Sequence, residues 1–280
     1  MKRILILCIG LCLHFLAGAL FGCGVEHVNA QGNRFASYTE TANNLNIEMV
    51  AVQGGTFMMG CTPEQGDDCF DNEKPAHQVT LSDFYIGKYE VTQAQWRAVM
   101  GTTVHQQRDK ANPASFLAGE GDNYPMYYVS WDETQEFVRR LNASTGKNYR
   151  LPTEAEWEFA ARGGISNSTC KYSGSNTVGD VAWYDGNSGD GTHPVGTKSS
   201  NALGIHDMSG NVWEWCSDWF GSYSSNAQTN PQGPSSGSSR VNRGGSWNNL
   251  ARHTRVSYSL NYAPIHRNIS LGFRLACSSN

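Results

Sequence analysis

Gly204-Ile205-His206-Asp207-Met208-Ser209-Gly210-Asn211-Val212-Trp213-Glu214-Trp215 is the most information-rich run in the chain. Its residues admit two interpretations. In one, Trp213 and Trp215 enter a core and Glu214 is a buried, hydrogen-bonded acid. In the other, the Asn211 side-chain oxygen, the Val212 backbone carbonyl and the Glu214 carboxylate are hard oxygen donors for a structural calcium ion. His206-Asp207 suits a turn better than a catalytic dyad.

Upstream, three segments carry helix-start chemistry. Thr92-x-x-Gln95 opens a helix to Met100, stopped by Gly101. Ser130-x-x-Glu133 opens one to Leu141. Thr153-x-x-Glu156 opens one to Arg162, stopped by Gly163-Gly164. In each, the hydroxyl accepts from a free N–H while the acid or amide three residues on reaches back. Short strands are expected at 49–52, 55–59, 78–81 and 84–89, with a closing strand at 272–276. The rest reads as loop, including the Gly/Ser/Asn-rich stretch 221–239. The fold class is therefore α+β with unusually little regular structure.

Composition agrees. The 280 residues include 30 Gly, 8 Trp, 12 Tyr and 11 Phe, and only 16% are charged, which excludes a coiled coil, a helical bundle or a disordered chain. A net charge of −4 argues against a partner such as nucleic acid, whose phosphates demand a basic surface.

Lys2 and Arg3 precede an apolar run from Ile4 to Phe21, the pattern of an export signal. Leu20-Phe21-Gly22-Cys23 is similar to a bacterial lipobox, with Cys23 as the lipidated residue. Val28-Asn29-Ala30 is an alternative cleavage site. The expected organisation is a signal peptide over 1–22, a polar linker over 23–46 and one domain over 47–280. The expected location is the bacterial cell envelope, as an outer-membrane or surface lipoprotein held to the membrane by its lipid.

Export permits disulfides. Cys61 and Cys69 flank a polar loop and form the first expected pair; Cys216 with Cys277 is a weaker one, leaving Cys170 over. No spacing suits zinc.

Seven motifs in order resemble the formylglycine-generating enzyme (sulfatase-modifying factor) family. They are Gly54-Gly55-Thr56-Phe57-x-Met59-Gly60, Glu90-Val91-Thr92-Gln93-Ala94-Gln95-Trp96, Pro125-x-x-x-Val129-Ser130-Trp131 and Arg150-Leu151-Pro152-Thr153-Glu154-Ala155-Glu156-Trp157-Glu158. The run from Gly204 to Trp215, Arg243-Gly244-Gly245-Ser246-Trp247 and Gly272-Phe273-Arg274 complete the set. The resemblance implies a C-type-lectin-like fold of the formylglycine-generating-enzyme type, rich in irregular loops. It also implies calcium near Asn211.

Enzymes of that family use two copper(I)-binding cysteines, five positions apart, just after the Gly-Gly-Ser-aromatic motif. The matching positions here are Asn249 and Thr254, neither of which can become a soft thiolate. No copper is expected, and an oxidase is the disfavoured alternative. Ser246 matches the family's active-site serine, and its Gly-Gly-Ser-Trp context is not a hydrolase elbow.

The tail from Asn248 to Ser270 has 23 residues with no Lys, Glu, Gln, Met or Trp. Those are the residue types that an Asn codon cannot reach when only its adenines change. The segment resembles the variable region of diversity-generating retroelement proteins. A framework of Ala251-Arg252, Arg255-Val256-Ser257, Pro264 and Arg267 alternates with the candidate ligand-binding residues. These are Asn248, Asn249, Leu250, His253, Tyr258, Leu260, Asn261, Tyr262, Ile265, His266, Asn268, Ile269 and Ser270. Tyr offers contact area with few torsions to freeze, and Asn and Ser adapt their hydrogen bonds. The arginines Arg252, Arg255, Arg267 and Arg274 are expected to hold loops rather than meet a ligand. The expected function is non-catalytic binding of a protein or glycan partner at the cell surface. A structural lipoprotein of an envelope secretion or gliding assembly is the further alternative.

Overall fold

The computed structural model describes residues 35–166 and 168–279. The expected signal peptide over 1–22 and the expected lipidation site Cys23 lie outside the described residues. In chain order come β1 (Tyr38–Glu40), β2 (Ile47–Val52), β3 (Gly55–Met59), β4 (His77–Leu81), β5 (Phe84–Gly87), α1 (Gln93–Met100), α2 (Val104–Ala111) and α3 (Trp131–Thr145). Then follow β6 (Tyr149–Arg150), α4 (Glu154–Ala161), α5 (Val178–Val181), β7 (Trp213–Trp219), β8 (Gln228–Thr229), β9 (Arg240–Arg243), β10 (Ser259–Tyr262), β11 (Leu271–Gly272) and β12 (Ala276–Ser278).

The strands form three sheets: β1-β2-β5-β12-β6, β10-β9-β7-β11 and β3-β4-β8. The last strand, β12, lies antiparallel between β5 and β6, so the two ends of the domain share one sheet. Much of the remaining chain is loop, as expected.

The helices begin where their hydroxyls allow. Thr92, Ser130 and Thr153 each accept from the N–H three residues on, and the Gln or Glu there bonds back. Helix α3 runs past the expected Leu141 to Thr145 and stops where Gly146 takes φ of 70°. Helix α2 was not expected, although Thr103 and Gln106 form the same box.

Four expectations need correction. The linker ends earlier than residue 46: Phe35 and Leu45 are buried, and β1 pairs with β2. The closing strand is β12 rather than 272–276, because Arg274 is drawn into side-chain contacts between β11 and β12. Cys216 and Cys277 are both free and buried. Cys61 and Cys69 are bonded, with Cα atoms 6.0 Å apart. Arg252 holds no loop; it is exposed and reaches only the His253 ring, at 3.3 Å.

The other arginines do brace the loops. Arg243, Arg255 and Arg274 are among the largest fully buried side chains. Arg255 bonds both oxygens of Glu73 at 2.6 and 2.8 Å and also caps the carbonyls of Asp68 and Arg252. Arg274 clasps both oxygens of Glu214 at 2.6 Å and bonds the carbonyls of Gly87 and His206. Arg243 pairs with Glu158, whose other oxygen takes Arg162. Arg267 is less buried and bonds Glu133 at 3.0 Å.

Removing one charge from such a pair strands the other away from water. Glu73→Gln is therefore expected to destabilise the domain by about 3–5 kcal/mol in urea unfolding. A loss below about 1 kcal/mol would show that Arg255 does not anchor the loop.

Candidate functional site

The C-terminal segment leaves β9 through Gly244 and Gly245, whose φ angles are 95° and 71°. A Cβ on Gly245 would lie 2.6 Å from the His253 carbonyl oxygen, so the chain folds back there only as glycine. The Ser246 hydroxyl is fully buried, 2.8 Å from Asn248 Oδ1 and 2.5 Å from Asn249 Oδ1. A short turn over Ala251–His253 follows, and Thr254 donates its hydroxyl to the Ala251 carbonyl at 3.0 Å.

From there Arg255-Val256-Ser257 goes in, while most candidate positions keep at least part of their side chains at the surface. Arg255, Val256 and Ser257 are fully buried, and the Ser257 hydroxyl donates to Glu73 Oε2 at 2.5 Å. β10 then pairs with β9 over Ser259–Tyr262. The Pro264 and Asn268 carbonyls accept from the Trp131 and Tyr128 N–H groups, seating the last loop against the start of α3.

Asn248, Leu250 and Ile265 are exposed, Ile265 at 71%. His253, Asn261 and His266 are half-buried. Tyr258, Leu260, Tyr262 and Ile269 are also half-buried and rest one side on the core. Tyr262 stacks on His266 with centroids 4.3 Å apart. Burial pushes the Tyr258 and Tyr262 hydroxyls up and the His253 and His266 rings down from their ordinary ranges. The patch is thus apolar and aromatic, and His266 is biased toward its neutral form by that burial.

Three candidates bond within their own loops instead, and of these only Ser270 is buried. Asn249 is held by Ser246 and accepts from the Asp185 N–H. Asn268 Oδ1 accepts from the Ser270 N–H at 3.1 Å, an internal turn, and Ser270 is only 5% exposed. Their side chains shape the loop rather than meet a ligand.

Two residues far away in sequence join the patch. Phe70 packs on Tyr258 with centroids 5.1 Å apart and on His253 at 6.1 Å. Phe116, 60% exposed, meets Trp247 edge-on at 6.5 Å. Of the six exposed large hydrophobic residues among those described, Phe70, Phe116, Leu250 and Ile265 belong to this one region. Such a concentration of exposed apolar side chains is a feature of interaction surfaces in general.

The proposed calcium donors are arranged otherwise. Both oxygens of Glu214 are taken by Arg274, and Oε2 also accepts from the Trp157 indole N–H at 2.6 Å. Asn211 Oδ1 accepts from the His193 N–H, and its amide donates to Glu90 Oε2 at 2.7 Å. Val212 donates its N–H to Glu90 Oε1 at 3.0 Å. The donor set does not fit a calcium ion: a cation would have to displace a buried guanidinium. Burial, with the charges of Asp207 and Glu214 nearby, raises Glu90 well above the usual carboxylate range, and burial raises Asp207 to about 6.

Comparison with known proteins places this geometry. Residues 34–279 match the sulfatase-modifying factor enzyme 1-like domain. The chain belongs to that family. It is similar to chaperone protein LppX of Paenibacillus barcinonensis, 32% identical over 79% of this chain and 87% of that one. It is similar to the formylglycine-generating enzyme of Streptomyces coelicolor, 31% identical over 81% of this chain and 88% of that one. Among solved structures it resembles Treponema denticola variable protein 1, with a TM-score of 0.75 and 31% identity over 86% of this chain and 99% of that one. The C-type-lectin-like fold expected from the sequence agrees with these likenesses.

Within this family's framework, Asn249 and Thr254 stand where copper(I) thiolates are expected. Both side chains are engaged in local hydrogen bonds, and neither offers a soft donor. The residues do not fit copper. Among the described residues no cluster of three or more His, Cys, Asp or Glu is placed to hold a metal.

The calcium question has a direct test. Protein dialysed against EDTA and returned to millimolar calcium is expected to shift its Tm by less than about 1 °C. A rise of several degrees would place an ion-binding site in this domain.

Proposed function

We propose that this chain is an exported, lipid-anchored binding protein of the bacterial cell envelope, with no redox chemistry of its own. Its ligand surface is the outward part of 248–270, widened by Phe70 and Phe116. Its partner is a protein, with a glycan as the second choice.

One observation carries the proposal: within a single segment, Arg255, Val256 and Ser257 are fully buried and hold the backbone, while Leu250, His253, Tyr258, Leu260, Tyr262 and Ile265 present exposed or half-buried apolar and aromatic side chains. Enzymes place rigid, polar, convergent groups at a reacting centre. Here the groups beside the Gly-Gly-Ser-Trp turn are amides and hydroxyls that satisfy one another. The likeness to Treponema denticola variable protein 1 supports a segment that varies on a fixed frame. The relative titled a chaperone favours a second reading, in which the bound partner is a protein being assisted.

Protein prepared anaerobically, loaded with copper(I) and given oxygen and a cysteine-containing peptide tests the non-catalytic part. No aldehyde above the protein-free control is expected by mass spectrometry with hydrazide capture. Repeated turnover would overturn the proposal.

A further inference from the structure

A cavity of about 510 Å³ opens away from the C-terminal segment, between β3, β4, the start of α4 and the loop after β7. None of its lining residues lies in 248–270. Its size falls in the range of small-molecule sites, about 300–1,000 Å³.

The floor is polar and built. The Tyr223 hydroxyl donates to Glu154 Oε1 at 2.9 Å, and the His77 ring packs on Tyr223 with centroids 5.0 Å apart. His77 Nδ1 lies 3.2 Å from the Pro75 carbonyl oxygen and so donates to it, which in the neutral ring leaves Nε2 as an acceptor. Glu154 is 8% exposed, and its Oε2 makes no hydrogen bond to another described residue. The floor therefore offers two acceptors to hydroxyl donors.

The charge balance excludes an anionic ligand. No Lys or Arg lines this cavity, so nothing there holds an anion. Arg243 Nη1 lies 3.5 Å from Glu154 Oε1 but is already paired with Glu158, so Glu154 keeps its capacity to accept from hydroxyl donors. Trp219 and Tyr223 supply aromatic surface, one side of Trp219 being covered by Arg240, and Gln228 and Gln232 bring amides to the lining. A second cavity of about 420 Å³ shares Gln232 and is polar; its Arg150 is paired with Glu156 at 2.6 Å. The two compartments adjoin, and each carries one carboxylate, Glu154 or Asp83, without a lining cation of its own, which disfavours an anionic ligand.

We propose that these adjoining cavities bind a neutral oligosaccharide. Hydroxyls would donate to Glu154 and His77 and exchange bonds with the amides, while C–H faces lie against the aromatic surface. The site is separate from the C-terminal surface, and it can fail without affecting that proposal.

Saturation-transfer NMR on the soluble domain with maltotriose, cellotriose and chitotriose tests it, with trigalacturonate as a charged control. At least one neutral trisaccharide is expected to give a signal, and trigalacturonate none. Gln232→Trp, on an exposed loop position, is expected to fill the shared opening and weaken binding at least tenfold at unchanged Tm. Ser222→Trp, also exposed, is the second blocking variant should the first not fold. Absence of binding by all three neutral sugars would overturn the proposal. So would binding that a folded blocking variant leaves intact, or binding of the charged trimer alone.

Discussion

The fold depends on buried guanidinium–carboxylate pairs. Arg255 with Glu73, Arg274 with Glu214 and Arg243 with Glu158 sit at fully buried positions where a domain with long regular elements would place aliphatic contacts. Each pair joins segments far apart in sequence, and Arg255 and Arg274 also bond backbone carbonyls from distant loops. Taking such charges out of water is unfavourable on its own; the pairs persist because every guanidinium finds a carboxylate and several carbonyls. They give irregular loops the fixed geometry that helices and strands supply elsewhere.

The proposed binding surface follows from that bracing. Arg255 and Ser257 are tied to Glu73, next to the Cys61–Cys69 loop, and the backbone of 264–268 is tied to the start of α3. With the backbone held from inside, the outward side chains carry no structural duty beyond covering the core. The same bracing closes the Glu214 carboxylate to a cation, which is why a motif that suggests hard oxygen donors becomes an arginine clasp.

How much of this was legible in the sequence varies by physical cause. The capping boxes at Thr92, Ser130 and Thr153 are local signals and placed their helices within a few residues. Helix α2 carries the same signal at Thr103, but its polar run has only Val104 and Gln107 buried and shows no apolar stripe. Strand β7 was hidden because most of it is buried on both faces, so its residues do not alternate. In the candidate site, the inward set Arg255-Val256-Ser257 was readable from its chemistry. The internal turn of Asn268 and Ser270 was not, because an Asn-to-backbone bond two residues on looks the same in sequence as an exposed Asn. Phe70 and Phe116 could not be assigned to the surface at all, since only tertiary folding brings them beside Tyr258 and Trp247.

The most direct test is a pair of displayed libraries read by protease resistance. One varies His253, Tyr258, Leu260, Tyr262, Ile265 and His266 with codons of the form that adenine changes to an Asn codon can produce. The other varies Thr254, Arg255, Val256 and Ser257 with the same codons. The account predicts that most members of the first library stay folded and that nearly all members of the second do not. Equal loss of resistance in both would contradict it, because the segment would then be ordinary core rather than a variable surface on a fixed frame.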